Sequence, residues 1–250
     1  MIRSILSSLT LALACLGCRG PAPPSEVLVL GTIHSGHVDS TTYGIDTLQE
    51  IVRAVDPDWI LTEIPPDRLH VALDEYLTTG EVTEPRVSRF PEYVDAIFPL
   101  VGRMRFTLVP CAGWTQRMSD ARAEKLLELE DTRPEDYATM RAAREAASTR
   151  QDELGLSDDP RGIHTEAYDE LVREGMEPYD RLFNDELGPG GWTNINRSHW
   201  ALIEAALDAR SGEGERFLVT FGAWHKYWFL DRLEERDDVV ILGLEPFLAP

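Results

Sequence analysis

The chain has 250 residues, enough for one sizeable domain with its own core. Hydrophobic residues make up 43% and charged residues 27%, the balance of a soluble globular protein, and 44 acidic against 24 basic side chains give a formal charge of −20. That charge repels phosphate backbones and argues against nucleic acid as a partner, and the lack of internal repeats argues against a solenoid.

The chain opens MIRSILSSLTLALACLGCRG, one Arg followed by an apolar stretch and then small residues. This layout, too short for a comfortable membrane span, predicts a secretory signal over residues 1–18. Leu16-Gly17-Cys18 resembles the site at which bacterial lipoproteins are cleaved and lipidated, with Cys18 as the acceptor and Cys15 as the alternative. An ordinary cleaved signal is the other reading. The lipoprotein reading implies a bacterial envelope protein, lipid-anchored to a membrane at the periplasmic or outer-membrane face. Residues 19–25, rich in Pro, suit a short tether. The body keeps one thiol, Cys111, which cannot form an internal disulfide and reads as a small buried hydrophobe.

From Glu26 the pattern is α/β. Glu26 to Leu30 (EVLVL) is a fully apolar strand of the kind buried on both faces of a parallel sheet. The loop GTIHSGHVDSTTYG follows. Ile45, Leu48, Ile51, Val52 and Val55 then lie on one face of a helix, which Asp56-Pro57 stops. Trp59 to Glu63 is a second strand, ended by Pro65-Pro66. This is a parallel unit with a right-handed crossover. Helices are predicted at Asp67 to Leu77 and Tyr93 to Arg103, and a third strand at Arg105 to Val109. From about 115 to 190 the composition turns to Glu, Arg and Ala, which predicts a helical insertion or cap. A helix at Asn196 to Ala209, a strand at Phe217 to Phe221, a helix at Lys226 to Glu235 and a strand at Val239 to Leu242 complete the chain. The predicted fold is one α/β domain over residues 26–250, with a mainly parallel central sheet flanked by helices and a helical insertion in the middle. The first and penultimate strands should lie side by side.

Two segments share one design. VLVLGTIH ends at His34 and FLVTFGAWH ends at His225; each is an apolar strand followed by Gly-x-x-His. Glu63 ends the second strand. In open parallel sheets, ligands bind beyond the carboxyl ends of the strands, so one sheet order brings His34, Glu63 and His225 together. Gly31 and Gly222 then serve a sharp exit from a buried strand. Two imidazoles and a carboxylate suit two chemistries. As ligands they hold a divalent metal such as Mn²⁺, Co²⁺ or Zn²⁺, which activates water. Without metal, a neutral His takes a proton from water while the carboxylate orients it. Spacing does not choose between them.

GTIH, the Glu of LTEIPP, the helix NRSHWALIEAAL and the terminal LVTFGAWH resemble, in that order, the TraB/TIKI (PrgY/GumN-like) family, within the superfamily that also holds the erythromycin esterases and ChaN-like proteins. The resemblance covers roughly residues 26–66 and 194–245. It implies His34, Glu63 and His225 as the active-site set and Arg197 as the family's helix-borne Arg, steadying negative charge. It implies a hydrolase cleaving an amide or ester bond in a peptide or small molecule: metal-dependent as in the TIKI branch, or metal-free as in the esterase branch. The alternative it implies is a non-catalytic haem- or ligand-binding lipoprotein of the ChaN-like type.

Further residues carry less specific signals. His37 and Asp39 share the loop of His34 and read equally as extra contacts or as solvated loop residues. His199 reads first as a helix-surface residue and second as one facing the site, and His70 and His164 read as structural. Trp224, Tyr227, Trp228 and Phe229 surround His225 and read first as core, second as pocket lining. Glu245 reads as part of a simple chain exit.

Overall fold

The computed structural model describes residues 22–249. The predicted signal segment and its candidate lipidation residues, Cys15 and Cys18, lie outside the described residues. The elements are β1 (Ser25–Thr32), α1 (Gly36–Asp39), α2 (Ile45–Val55), β2 (Trp59–Thr62), α3 (Leu69–Thr79), β3 (Thr107–Pro110), α4 (Gln116–Thr132), α5 (Pro134–Glu153), α6 (Pro160–Ile163), α7 (Glu166–Phe183), α8 (Trp192–Asp208), β4 (Arg216–Gly222), α9 (Lys226–Leu233) and β5 (Val239–Ile241). Between α3 and β3, a π-helical turn at Glu92–Ile97 runs into a 3-10 turn at Phe98–Leu100. The latter two replace the single α-helix predicted from Tyr93 to Arg103.

The five strands form one all-parallel sheet in the order β3-β2-β4-β1-β5. The two Gly-x-x-His strands, β1 and β4, are neighbours in register, with Gly31 opposite Phe221 and Thr32 opposite Gly222. Both strands are apolar on two faces because both faces are covered. Leu28, Leu30, Ile60 and Leu218 join the core on one face, with Leu48, Ile51 and Val52 of α2. Val27, Val29, Phe217, Val219 and Phe221 join the core on the other, with Ile203 of α8 and Phe229 of α9. Strand side chains alternate in direction, so the continuous apolar runs feed both clusters.

The α2 helix spans the predicted residues and ends where Asp56 turns left-handed, φ 46°, just before Pro57. The stretch from 116 to 183 forms helices α4 to α7. Helices α5 and α7 approach closely at Gly175, where an added Cβ would lie 2.7 Å from the Ala147 Cβ.

Because β5 is only three residues long, β1 lacks a strand partner on that side toward its carboxyl end. At Gly31 side chains replace it. The Gly31 N–H donates to His164 Nε2 at 3.0 Å, and the Gly31 carbonyl accepts from the Tyr43 hydroxyl at 2.8 Å. His164 Nδ1 donates in turn to the Pro160 carbonyl at 2.6 Å. This imidazole therefore ties α6 to β1, and a buried backbone N–H is satisfied.

Candidate functional site

Beyond the carboxyl ends of β1 and β4 lies a cavity of about 390 Å³, with His34, His225 and Gly222 in its wall. His34 sits in the left-handed region, φ 50°, a conformation that costs energy for a residue with a Cβ. The positive φ falls at His34 and not at Gly31 or Gly222. His34 Nδ1 lies 2.6 Å from Glu92 Oε1, and its Nε2 lies 3.9 Å from Glu63 Oε2. Thr32 Oγ1 also donates to Glu92 Oε1 at 3.1 Å. Glu92 is 1% exposed, and its other oxygen has no hydrogen-bond partner among the described residues.

Glu63 Oε2 accepts the Gly222 N–H at 2.7 Å, which joins the ends of β2 and β4. The buried Tyr93 hydroxyl reinforces that junction. It accepts from Glu63 N–H and donates to the Thr220 carbonyl, both at 2.7 Å. Gly222 serves close approach: a Cβ there would lie 2.5 Å from His34 Nε2. Gly31 has the same role against Ala223, whose Cα and Cβ would both lie 3.0 Å from an added Cβ.

His225 faces the same cavity with a different environment. Its Nδ1 lies 2.6 Å from Asn196 Oδ1. The Asn196 amide nitrogen donates to the Trp192 carbonyl at 2.9 Å, so Oδ1 is the acceptor and His225 Nδ1 carries the proton. The lone pair is therefore on Nε2. The Trp192 ring stacks on the imidazole at 4.7 Å between centroids.

The two imidazoles titrate in opposite directions. Burial disfavours charge on His34, but the hydrogen bond to Glu92 and the negative charges of Glu63 and Glu92 outweigh it and raise its pKa to about 9. Burial lowers His225 to about 3, with Glu63 opposing and the neighbouring His199 and His34 adding to the fall. Such a split leaves one protonated and one neutral imidazole at the same cavity near neutral pH.

The remaining predicted residues fall elsewhere. Arg197 is exposed and borders surface clefts with Asp180, Asp185 and Glu204, away from the cavity. The inward face of α8 carries Asn196 and His199, and one residue of helical rotation turns Arg197 outward. His37 is buried with both ring nitrogens engaged, Nε2 by Ile33 N–H at 2.9 Å and Nδ1 by the Tyr43 carbonyl at 2.6 Å, so it braces the His34 loop. Asp39 is exposed. His199, expected at the surface, is fully buried and accepts the Gly113 N–H at 2.8 Å. Of the aromatic group, Trp224 lines the cavity, whereas Phe229 packs in the core. Glu245 is exposed and faces Arg161 at 3.6 Å. Cys111 is buried and its thiol is pushed up to about 12 by burial, so it is no nucleophile. Glu92, Tyr93 and Asn196 were not singled out from the sequence, because none sits in a strand-end motif.

Neutral imidazoles buried in the fold make stability depend on pH. Burial lowers His164 to about 4 and His199 and His225 to about 3. Their folded values lie below an unfolded value of about 6.5, so their stabilisation is present above that pH and is lost as pH falls. Each contributes a slope of roughly 1.4 kcal/mol per pH unit between its two values. His34, raised to about 9, acts in the opposite sense: its contribution is complete below about 6.5 and is lost as pH rises through 9. Urea midpoints measured from pH 5 to pH 9 should peak near pH 6.5 and fall faster on the acid side. A flat profile would contradict these environments.

Comparisons of the chain with protein-family models, with curated proteins and with solved structures found no match.

Proposed function

We propose that this chain is a hydrolase in which His34 activates water for attack on an ester or amide carbonyl, as the resemblance to the TraB/TIKI and erythromycin-esterase superfamily implies. Its leader would place it in the bacterial envelope, anchored through lipid at Cys18. The observation that carries the reading is the His34–Glu92 pair: Nδ1 is held by a buried carboxylate at 2.6 Å while the ring forms part of the cavity wall. A carboxylate behind Nδ1 fixes the tautomer and ring orientation and raises the basicity of Nε2.

In the working cycle, neutral His34 takes a proton from water at Nε2 as the water oxygen bonds to the carbonyl carbon. The imidazolium so formed is stabilised by Glu92 behind it and by Glu63 beside it. The same proton then passes to the leaving oxygen or nitrogen as its bond to the carbonyl carbon breaks. The 3.9 Å between Nε2 and Glu63 Oε2 exceeds a direct hydrogen bond and suits a water shared by both groups. The neutral His225 offers Nε2 at the cavity wall as an acceptor for a donor group of the substrate. Trp192, Trp224 and Met176 supply apolar wall for the body of a small organic substrate.

The donor set fits a metal poorly as it stands. Hydrogen bonds at Nδ1 leave Nε2 of His34 and His225 open, as in a ligand His, but Glu63 Oε2 is engaged by the Gly222 N–H. Among the described residues no three His, Cys, Asp or Glu side chains converge closely enough to hold an ion. We therefore favour the metal-free branch. Assays on a panel of esters and peptides should give turnover that survives exhaustive EDTA treatment. Loss on chelation, restored by Mn²⁺, Co²⁺ or Zn²⁺, would instead make His34, Glu63 and His225 metal ligands. A Soret band with no turnover on any substrate would overturn the hydrolase reading in favour of a ligand-binding protein.

A further inference from the structure

The helical segment 116–183 supplies the cavity wall that faces the two imidazoles. Helix α4 contributes Arg122, and α5 contributes Arg144 and Gln151. The chain carries 44 acidic residues, yet none is in the cavity wall, and Glu63 adjoins it only behind His34, 3.9 Å from Nε2. On and between the helices around the cavity, Arg133, Arg150, Arg173 and Arg181 each pair with a carboxylate. Among the described residues Arg117, Arg122, Arg141 and Arg144 have no such pair, and of these four Arg122 and Arg144 line the cavity. Arg122 Nε donates to the neutral Tyr179 hydroxyl at 3.0 Å, and its guanidinium lies 5.7 Å from the centre of that ring. The Arg144 guanidinium lies 5.7 Å from the centre of the Trp224 ring. Arg144 is exposed at the mouth of the cavity, and its partial desolvation and the nearby charge of Arg122 both disfavour its own charge.

A second observation points the same way. Gln151 is 2% exposed, lines the cavity, and its side-chain nitrogen has no hydrogen-bond partner among the described residues. A buried amide N–H₂ without an acceptor is costly and calls for one. Two guanidinium groups without carboxylates line one opening, and beside them is a buried amide nitrogen still short of an acceptor, a donor set suited to an anion.

We propose that Arg122, Arg144 and Gln151 form a subsite for a negatively charged group, carboxylate or phosphate, on the molecule that reaches His34 and His225. Resting on the hydrolase reading, this makes the substrate an ester or amide with an anionic substituent and an apolar body. The helical segment then selects by charge, while the strand ends do the chemistry. The overall charge of −20 opposes anions at long range, so the subsite discriminates by contact inside the cavity and not by steering from outside.

Calorimetric titration of the full chain with inorganic phosphate and with glutarate tests this directly and needs no turnover. At least one anion should bind saturably. Its Kd should rise at least tenfold in Arg144→Gln and further in the Arg122→Gln/Arg144→Gln double variant. Arg150→Gln, which removes a surface pair with Glu153, should leave it unchanged. A preference for phosphate or for glutarate identifies the group. Arg144 makes no side-chain hydrogen bond among the described residues, so its variant should melt like the parent. Absence of saturable binding to the folded parent, or equal affinities in Arg144→Gln and Arg150→Gln, would overturn the subsite. Such a failure would leave the water chemistry of His34 standing, and a failure of hydrolysis would leave the anion site measurable.

Discussion

Replacing His34 with Gln is expected to lower kcat/KM on whichever ester or amide is turned over by about 10²–10⁴-fold, the range that general base catalysis contributes. The side chain is half-buried at a cavity wall, so its loss removes chemistry more than packing. The pH profile gives the sharper test. His34 is held as imidazolium up to a pKa of about 9. The neutral form acts as base, so kcat/KM should rise about tenfold per pH unit below pH 9 and level off above it. His225, lowered to about 3, is neutral throughout that range and adds no limb. Glu92→Gln keeps the shape of the buried side chain but removes the charge behind Nδ1. It should lower the plateau about 10- to 100-fold and move the limb down toward the ordinary imidazole range. A merely structural Glu92 would change the amount of folded protein and leave the limb at its place. Activity that falls as pH rises toward 9 would instead make the imidazolium an acid and reverse the assignment.

Gly222→Ala should separate folding from function. An added Cβ would lie 2.5 Å from His34 Nε2, 3.1 Å from His34 Cε1 and 3.5 Å from Glu63 Oε2. The backbone at Gly222, φ −48° and ψ 132°, is open to any residue, so the conflict is one of space alone. The group that must yield is the end of a partly exposed ring, which can swing toward the cavity. The stability cost is therefore modest, about 1–3 kcal/mol. The ring cannot swing and also keep its 2.6 Å bond to Glu92, so the base is lost. Hydrolysis should fall by about two to three orders of magnitude, as expected for a misplaced catalytic group, with circular dichroism unchanged. Retained activity would mean that the position of His34 Nε2 is unimportant to the reaction.

These effects turn on features of unequal visibility in the sequence. The sheet was legible because β1 and β4 are short apolar runs that only a twice-covered parallel strand accommodates. Each ends in Gly-x-x-His, and that placed His34, Glu63 and His225 at one rim. Glu92 was not legible. It opens a π-helical turn after Pro91, where an acidic residue suits the start of any helix. Only the return of that turn across the end of β1 makes it the partner of His34. Asn196 was hidden for a similar reason. The resemblance drew attention to Arg197, and one position of helical rotation decides which of the two faces His225. Arg122 and Arg144 were not singled out, because nothing in the local pattern of α4 and α5 reveals which of their charges line the cavity. His199 was misplaced to the surface because its polarity was weighed above its spacing from the buried Ile195 and Ile203.

The most direct test is an imidazole ¹⁵N and ¹³C NMR titration of the intact protein, with resonances assigned through His34→Gln and His225→Gln. His34 should titrate near 9 and lose that shift in Glu92→Gln, while His225 stays neutral, protonated on Nδ1, down to at least pH 5. If both rings instead titrate together near 6.5, the environments that assign their roles do not exist, and the paired imidazoles are not a hydrolytic site.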